Sequence, residues 1–261
     1  MTEPVKVETK NGIAVVMLNR SEAFNAFDMP TVASLADALV ELAADSSVRG
    51  VVISGSGKAF CAGGDLKWAL SHKNGPPAAF HELAARFHLA VAEIRRMPKP
   101  VIAAVNGVAA GGGFSLALAC DFRVLAKSAV LRQAYTSNGL CIDGGGTFTL
   151  PRLAGFARAL EIMAFDQPIS ADQALAWGLA TKVVEDGQAL SVSTQMAESL
   201  AGNALYAFGV AKQLLTDSFD TSFETQIERE RQALSACAGH AEGKEGLKAF
   251  AEKRKPNFRS A

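Results

Sequence analysis

The sequence predicts an α/β fold that ends in a mostly helical region. Short apolar runs of the buried-strand type alternate with amphipathic helical patterns in the early part of the chain, as in a parallel sheet covered by helices. Beyond Ala154 the patterns are mostly helical. A chain of 261 residues with 49% hydrophobic content is long enough to bury a substantial core.

The first predicted elements are strands and helices in alternation. Residues 5–9 and 13–18 are rich in β-branched side chains and flank the turn signal KNG, so we expect a hairpin. Pro30 then stands in the first turn of a helix whose apolar residues recur with a period near 3.6. Three elements follow: a buried strand in VRGVVISGSG, an alanine-rich helix at 78–97 and a buried strand at 101–105.

Four helices are the clearest patterns of the C-terminal part, at residues 189–200, 204–215, 223–234 and 242–253. No proline-rich or serine-rich linker separates them from the first part, and no internal repeat is found, so we interpret them as a helical appendage. An alanine-rich end of this kind can pack on another subunit or fold back on its own core. The composition allows both.

The composition argues against several classes of function. Lysine plus arginine equals aspartate plus glutamate, at 26 each, so no overall field favours nucleic acid or an anionic membrane. The cysteines form no CxxC pair, which argues against a metal site and a disulfide framework and indicates a reducing compartment; they are Cys61, Cys120, Cys141 and Cys237. The N-terminus has no apolar signal region, and no run approaches the roughly 18 apolar residues of a membrane span. We therefore expect a cytoplasmic protein.

The first glycine-bearing loop, SGSGKAFCAGGDLKW, follows a buried strand. Its GSGK is not a phosphate-binding P-loop, because Val52 and Ala59 stand where that motif needs glycine and serine or threonine. In CAGGDL, small residues let the backbone approach a ligand, and Asp65 is suited to cap the next helix. A tight helix entry without a ligand fits the same residues.

The second loop, VIAAVNGVAAGGGFSLALACD, again runs from a buried strand into glycines and then an apolar helix. If the amides of Gly64 and Gly112 pointed at one atom, they would form an oxyanion hole at a helix N-terminus. GFSLA also half-matches a serine-hydrolase nucleophile elbow at Ser115. That alternative is disfavoured, since the loop is too long for a sharp turn and only His240 lies downstream as a base.

Six segments in order carry a resemblance to a known family: NRSEAFNAF, KAFCAGGDLK, KPVIAAVNGVAAGGGFSLALACDFRVLA, GGGTFTLPRLAG, ISADQALAWGLATKVV and EGLKAFAEKRKPNF. Together they resemble the enoyl-CoA hydratase/isomerase, or crotonase, superfamily from end to end. The resemblance implies a ββα spiral core, which we place at residues 1–200, and a helical C-terminal region at 201–261 that assembles trimers or dimers of trimers. It implies a coenzyme A thioester substrate whose carbonyl meets the amides of Gly64 and Gly112. No separate cofactor is implied.

The resemblance also implies which residues contact coenzyme A and the acyl group. They are Ala23, Phe24, Ala62, Asp65, Leu66, Lys67, Tyr135, Phe250 and Lys253. Phe250 and Lys253 would act in this subunit or in a neighbouring one. Lys253 is either a phosphate contact or one solvated charge of EKRK. Tyr135 either hydrogen-bonds the substrate or walls the pocket, and we favour the wall.

The sequence departs from the hydratases of this family at two positions. Where they carry catalytic glutamates, this chain has Ser115 and Tyr135. Hydration is disfavoured, because water must be activated at C3 and a proton delivered at C2, and two groups normally share that work. Moving a double bond needs only one base able to reach C2 and C4, and Asp143 is the one acid of the central loop.

Asp143 stands in IDGGGT, which resembles the active-site loop of the phenylacetate-degradation isomerases (1,2-epoxyphenylacetyl-CoA or delta3-delta2-enoyl-CoA type). Its apolar neighbours are expected to shield it from water; they are Leu140, Cys141, Ile142 and Phe148. The competing interpretation is a structural aspartate that caps the turn before the glycines.

In the related haloaryl-CoA dehalogenases, an aspartate at this loop position attacks the ring with help from a histidine. His81 and His88 are conceivable helpers, although surface histidines are the plainer interpretation. Three functions follow. The first is a thioester isomerase of fatty acid or aromatic acid breakdown. The second is a hydratase or another thioester enzyme, acting by hydrolysis or dehalogenation. The third is a non-catalytic acyl-CoA-binding protein.

Overall fold

The computed structural model describes residues 3–259 and forms two sheets with helices packed on them. The strands of the described residues are β1 (Val5–Lys10), β2 (Ile13–Leu18), β3 (Gly50–Gly55), β4 (Ala59–Cys61), β5 (Val101–Val105), β6 (Val108–Ala110), β7 (Phe122–Ala126), β8 (Val130–Arg132), β9 (Ile169–Ser170) and β10 (Lys182–Val184). The helices are α1 (Met29–Ala44), α2 (Leu66–Leu70), α3 (Gly75–Arg96), α4 (Gly112–Ala119), α5 (Gly146–Ala154), α6 (Phe156–Phe165), α7 (Ala171–Ala176), α8 (Ala189–Ala201), α9 (Leu205–Asp217), α10 (Phe223–Gly239) and α11 (Ala241–Ala251).

The larger sheet has the strand order β1-β2-β3-β5-β7-β10, and the smaller one has the order β4-β6-β8-β9. The pairs β1–β2 and β8–β9 are antiparallel and all other pairs are parallel. Successive strands from β3 to β8 therefore enter the two sheets in turn, and helices follow β4 and β6. This winding confirms the predicted α/β fold with a ββα spiral core.

The predicted N-terminal elements are confirmed, and their ends have identifiable causes. The hairpin turns at Asn11 and Gly12, both with positive φ. Helix α1 begins after Asp28, whose carboxylate accepts a hydrogen bond from the Thr31 amide at 3.0 Å, with Pro30 in the first turn. Strands β3 and β5 are buried along their whole length, as their continuous apolar runs predict.

The smaller sheet is absent from the sequence prediction. Three of its strands have three residues and β9 has two, which is too short for an alternating pattern to emerge. Strands β4 and β6 lie where the sequence indicates glycine-bearing loops. The sheet fixes those loops, because β4 leads into the first and β6 into the second.

The four C-terminal helices predicted from periodicity are confirmed as α8 to α11. Helix α8 packs on the larger sheet through Ala197 and Ala201, whereas α10 has no buried residue within this chain. Large apolar side chains remain exposed on α9 to α11 and the turn after α9; they are Leu215, Phe219, Phe223, Ile227, Leu234, Leu247 and Phe250. Among residues 3–259, no helix combines the length and apolarity needed to cross a membrane.

Candidate active site

One pocket of about 110 Å³ brings together the main residues singled out from the sequence. Gly64, Gly112, Tyr135 and Asp143 all line it. The remaining lining residues are Phe27, Ala62, Leu66, Phe80, Leu83, Phe87, Gly111, Ala134, Asn138 and Leu140. Most of these side chains are apolar, so a polar group of a ligand would find only a few partners in this pocket.

The two glycine loops are in direct contact. A Cβ on Gly63, which has a φ of +94°, would lie 2.8 Å from the Ala110 carbonyl oxygen and 3.1 Å from the Gly112 nitrogen. A Cβ on Gly113 would lie 2.2 Å from the Cys61 carbonyl oxygen. The first turn of α4 is therefore packed backbone to backbone against the end of β4, which only glycine permits.

The protein's own hydrogen bonds leave the backbone amides of Gly64 and Gly112 without an acceptor among residues 3–259. Beside Gly64, the Phe27 amide donates to the Gly63 carbonyl at 2.7 Å, and the Asp65 amide donates to the Phe27 carbonyl at 2.8 Å. Across residues 3–259, neither the Gly64 nor the Gly112 amide donates to a protein acceptor. Gly112 is also the first residue of α4, where helix amides are available to a ligand.

Asp143 is held at the pocket by a contact between a turn and α3. Gly144 and Gly145 follow it with φ of +62° and +74°, and a Cβ on Gly144 would lie 2.2 Å from the Phe87 ring. The turn therefore lies directly on Phe87. The Asp143 carboxylate contacts His88, the residue after Phe87 in α3. The distance from the Asp143 Oδ1 atom to the His88 Nε2 atom is 2.5 Å.

The expected shielding of Asp143 and the competing interpretation as a cap are both wrong. Its side chain is not enclosed by its apolar neighbours, because it is 36% exposed; Cys141 is exposed too, and Phe148 packs under the guanidinium groups of Arg95 and Arg152. Nor does Asp143 act as a cap, since α5 has no side-chain cap and the carboxylate bonds to His88 instead. The glycine turn directs the side chain toward α3 rather than along its own loop.

His88 is a second residue at the site. The sequence indicates it only as a conceivable helper of the loop aspartate, with a surface position as the plainer interpretation. Its side chain is indeed 54% exposed, yet it contacts Asp143. His81, in the same helix, makes no hydrogen bond or ion pair in the described part of the chain. Ion pairs this exposed add only about 0–1 kcal/mol to stability, so the contact matters chiefly for where the carboxylate lies.

Ser115 and Tyr135 contact each other. The Ser115 Oγ and Tyr135 hydroxyl oxygens are 3.3 Å apart, and Ser115 is fully buried. Burial raises the pKa of the Tyr135 phenol well above its ordinary value, and the nearby Asp143 charge acts in the same direction, so the hydroxyl stays neutral. Within residues 3–259 no base hydrogen-bonds to Ser115, and His240 stacks on Tyr206 instead, so the nucleophile elbow gains no support.

The residues expected to contact coenzyme A fall into two groups. In the first, the Ala62 amide donates to the Phe24 carbonyl at 3.0 Å, which joins the segment around Ala23 to the pocket rim. Asp65 caps α2 through the Trp68 amide at 3.1 Å and also pairs with Arg20, and Lys67 is exposed.

The second group lies at the C-terminal end of the chain and does not line the pocket of its own subunit. Phe250, in α11, is 85% exposed, and Lys253 follows in an exposed turn. Contacts of either group with coenzyme A stay predictions.

The apolar wall of the pocket could be recognised in the sequence from the spacing of its residues. Phe80, Leu83 and Phe87 recur at spacings of three and four along α3, which indicates one helix face. That pattern is equally typical of a core-facing helix, so it does not distinguish a pocket wall from packing. His88 had no such signal, because its contact with Asp143 joins segments 55 residues apart.

The sequence model of the family described as Enoyl-CoA hydratase/isomerase matches residues 8–261. The chain belongs to the enoyl-CoA hydratase/isomerase family. A similar member is the 1,2-epoxyphenylacetyl-CoA isomerase of Escherichia coli (strain K12), 36% identical over 259 residues that cover 99% of each protein. The crotonyl-CoA hydratase of Syntrophomonas wolfei is 34% identical over 258 residues, which cover 98% of each.

Solved structures of the family agree with the fold. The crystal structure of an enoyl-CoA hydratase from Polaromonas sp. JS666 has a TM-score of 0.92 and 36% identity, and it covers 97% of this chain and 98% of that one. Membership in the enoyl-CoA hydratase/isomerase family confirms the resemblance. The members of this family are enzymes that act on acyl-CoA thioesters, so the chain belongs to an enzyme family. The names of the relatives include isomerases, hydratases and dehalogenases.

Proposed function

We propose that the protein is an acyl-CoA thioester isomerase that moves a double bond through a dienolate, with Asp143 as the base. One observation carries the proposal. Asp143 is the only carboxylate among the described residues that line the pocket, and the two hydratase glutamate positions hold Ser115 and Tyr135. The chemistry therefore has one base available, and isomerisation is a reaction that one base can perform.

The proton and electrons would move as follows. The Asp143 carboxylate takes a proton from C2 of a 3-enoyl thioester, and the C–H electron pair enters a dienolate whose negative charge lies on the thioester oxygen. The amides of Gly64 and Gly112, free of protein acceptors, would stabilise that oxygen. Return of the same proton from Asp143 to C4 gives the 2-enoyl thioester and restores the carboxylate.

Hydration is the less favoured alternative. It needs a group that activates water at C3 and a second that delivers a proton at C2. The Tyr135 phenol cannot take the role of a carboxylate, because its pKa is raised by burial and it stays neutral. Ser115 is fully buried and hydrogen-bonded to Tyr135, so it offers no base either.

The substrate and the assembly are part of the same proposal. Phe27, Phe80 and Phe87 suit a compact acyl group, and the name of the E. coli relative refers to a phenylacetyl-derived thioester, so we favour a ring-derived or short unsaturated acyl group. Coenzyme A would lie along the Phe24 and Ala62 rim. The exposed apolar side chains of the C-terminal helices would pack in a homotrimer or dimer of trimers, from which Phe250 and Lys253 would reach a neighbour's ligand.

The proposal is tested by Asp143→Asn, which keeps the shape of the side chain and removes its basicity. We expect conversion of 3-enoyl-CoA to 2-enoyl-CoA to fall by about 10²–10⁴-fold, the usual contribution of a general base. Asp37→Asn, at an exposed aspartate on α1, is the matched control and should turn over normally. Unchanged turnover in Asp143→Asn would end the proposal.

Two further measurements separate the alternatives. Reaction in H₂¹⁸O labels the product of hydration or hydrolysis and leaves the product of isomerisation unlabelled. An acyl-CoA-binding protein without activity would bind thioesters tightly and convert none of a broad panel, and any turnover that depends on Asp143 excludes it.

A further inference from the structure

The Asp143 carboxylate has little in its own turn to fix it. The two residues after it are glycines, and the bonds near it involve its backbone: the Gly146 amide donates to its carbonyl at 3.1 Å, and its own amide bonds to the Tyr135 hydroxyl. Within residues 3–259, the one hydrogen bond of its side chain is the contact between Oδ1 and the His88 Nε2 atom. The orientation of the carboxylate therefore depends on α3.

Helix α3 holds the turn with two consecutive residues that do different things. Phe87 is buried and packs against Gly144, which sets how closely the backbone of the turn approaches the helix. His88 is exposed at the rim and contacts the carboxylate itself. Phe87 therefore fixes the position of the turn, and His88 fixes the rotation of the side chain.

The chemistry of the pair defines which atom carries the proton. A carboxylate can only accept hydrogen bonds, so the Nε2 atom of His88 must be the donor. One oxygen of Asp143 is then occupied, and Oδ2 remains as the oxygen that can take a proton from a substrate. Such a hydrogen bond from a ring N–H to a carboxylate is charge-assisted and directional, which makes it a suitable restraint on a side chain that is otherwise free to rotate.

We infer that His88 is a positioning residue for the reaction: its Nε2–H holds Asp143 Oδ1 so that Oδ2 faces the substrate carbons. This inference rests on the proposed function, because it needs Asp143 to be the base. His88 itself does not touch the reacting atoms. Its effect is on the rate of the chemical step rather than on substrate binding, because a misplaced base slows proton transfer without removing a binding contact.

The experiment compares two substitutions at one position in the full-length protein. His88→Leu removes the donor, and we expect kcat to fall on the order of 10²-fold with little change in KM, as for a catalytic group displaced by about 1 Å. His88→Gln places an amide N–H where Nε2 stands, so it should recover most of the lost kcat. Because His88 is exposed, both variants should unfold at nearly the wild-type temperature, and His81→Leu in the same helix is the matched control.

A double variant shows whether His88 acts through Asp143. If it does, Asp143→Asn combined with His88→Leu will be no slower than Asp143→Asn alone, because the restraint has nothing left to position. Losses that multiply would overturn the inference, and so would a His88→Leu enzyme with wild-type kcat or a His88→Gln enzyme as slow as His88→Leu. An active Asp143→Asn enzyme would instead overturn the proposed function itself, which distinguishes the two failures.

Discussion

The two sides of the pocket are built in opposite ways. The glycine side consists of backbone packed on backbone, with no space for a Cβ at Gly63 or Gly113 and with Gly112 buried between the loops. The acid side consists of one partly exposed side chain, Asp143, held by a single hydrogen bond from His88. A change on the glycine side must deform the fold, whereas a change of Asp143 itself alters only a side chain.

The two sides of the pocket would therefore serve two different functions, holding the thioester oxygen and supplying the base. Holding a thioester oxygen needs donors that do not move, and closely packed loops at a helix N-terminus supply them without any particular side chain. Choosing the reaction needs a base at a given carbon, and a partly exposed side chain can be gained or lost at little cost to stability. Relatives of the chain are named isomerase and hydratase, so their names differ in the reaction.

The largest effect is expected from Gly113→Ala, which deforms the close packing of the two glycine loops. The added methyl would meet the Cys61 carbonyl oxygen at 2.2 Å, and backbone cannot move aside as a side chain can. We expect the free energy of unfolding to drop by roughly 1–3 kcal/mol. Turnover should fall by about 10²–10³-fold because the neighbouring Gly112 amide is displaced. Urea unfolding and steady-state kinetics measure the two effects.

The control for Gly113→Ala is Gly239→Ala in α10, where an added methyl meets nothing within 4 Å. A stable, fully active control alongside an impaired Gly113→Ala is the expected outcome. Wild-type turnover in Gly113→Ala would show that the glycine side tolerates deformation, and the contrast between the two sides would fail.

A smaller effect is expected from Gly144→Ala, which moves the acid side without changing any reacting group. Alanine at this positive φ costs about 1–2 kcal/mol, and the same cost applies to Gly145→Ala. Only at Gly144 does the methyl also meet the Phe87 ring, at 2.2 Å, whereas at Gly145 the nearest atom is 3.7 Å away on Val91. We therefore expect similar backbone strain in both variants and an additional loss of turnover, on the order of 10-fold or more, in Gly144→Ala alone.

Steady-state kinetics and thermal unfolding of the two alanine variants check this prediction. Equal turnover in both would mean that the contact with Phe87 does not set the position of Asp143. A Gly145→Ala enzyme more impaired than Gly144→Ala would contradict the assignment outright.

The smallest effect is expected from Tyr135→Phe, at a residue that lines the pocket. It removes the hydroxyl that pairs with the buried Ser115, so the free energy of unfolding should fall by about 1 kcal/mol. Turnover should change little, because a neutral phenol has no role in the proposed proton transfer. Ser115→Ala removes the same bond from the other end and should behave alike. A large loss of kcat confined to Tyr135→Phe would assign its hydroxyl a role in the reaction.

The sequence was informative wherever a pattern was local and long enough to repeat. The hairpin around Gly12, helix α1 and strand β5 follow from turn chemistry and periodicity. The two glycine loops follow from local sequence pattern, and the proposed role of Asp143 follows from the resemblance to the family. The smaller sheet could not be predicted, since strands of two or three residues have no period to recognise. The sequence expectation that Asp143 is shielded failed because neighbours in sequence do not determine which way a glycine turn directs a side chain.

The hydrogen bond between Ser115 and Tyr135 makes the evolution of these two positions interdependent. A glutamate introduced at Ser115 would enter a fully buried site whose other neighbour is Gly146, where even a Cβ would stand 2.9 Å from the serine oxygen. A glutamate introduced at Tyr135 would leave that serine without its partner. A lineage that exchanged one reaction for the other would thus face epistasis, with each glutamate costly until the second one and an adjustment of the glycine turn had accompanied it.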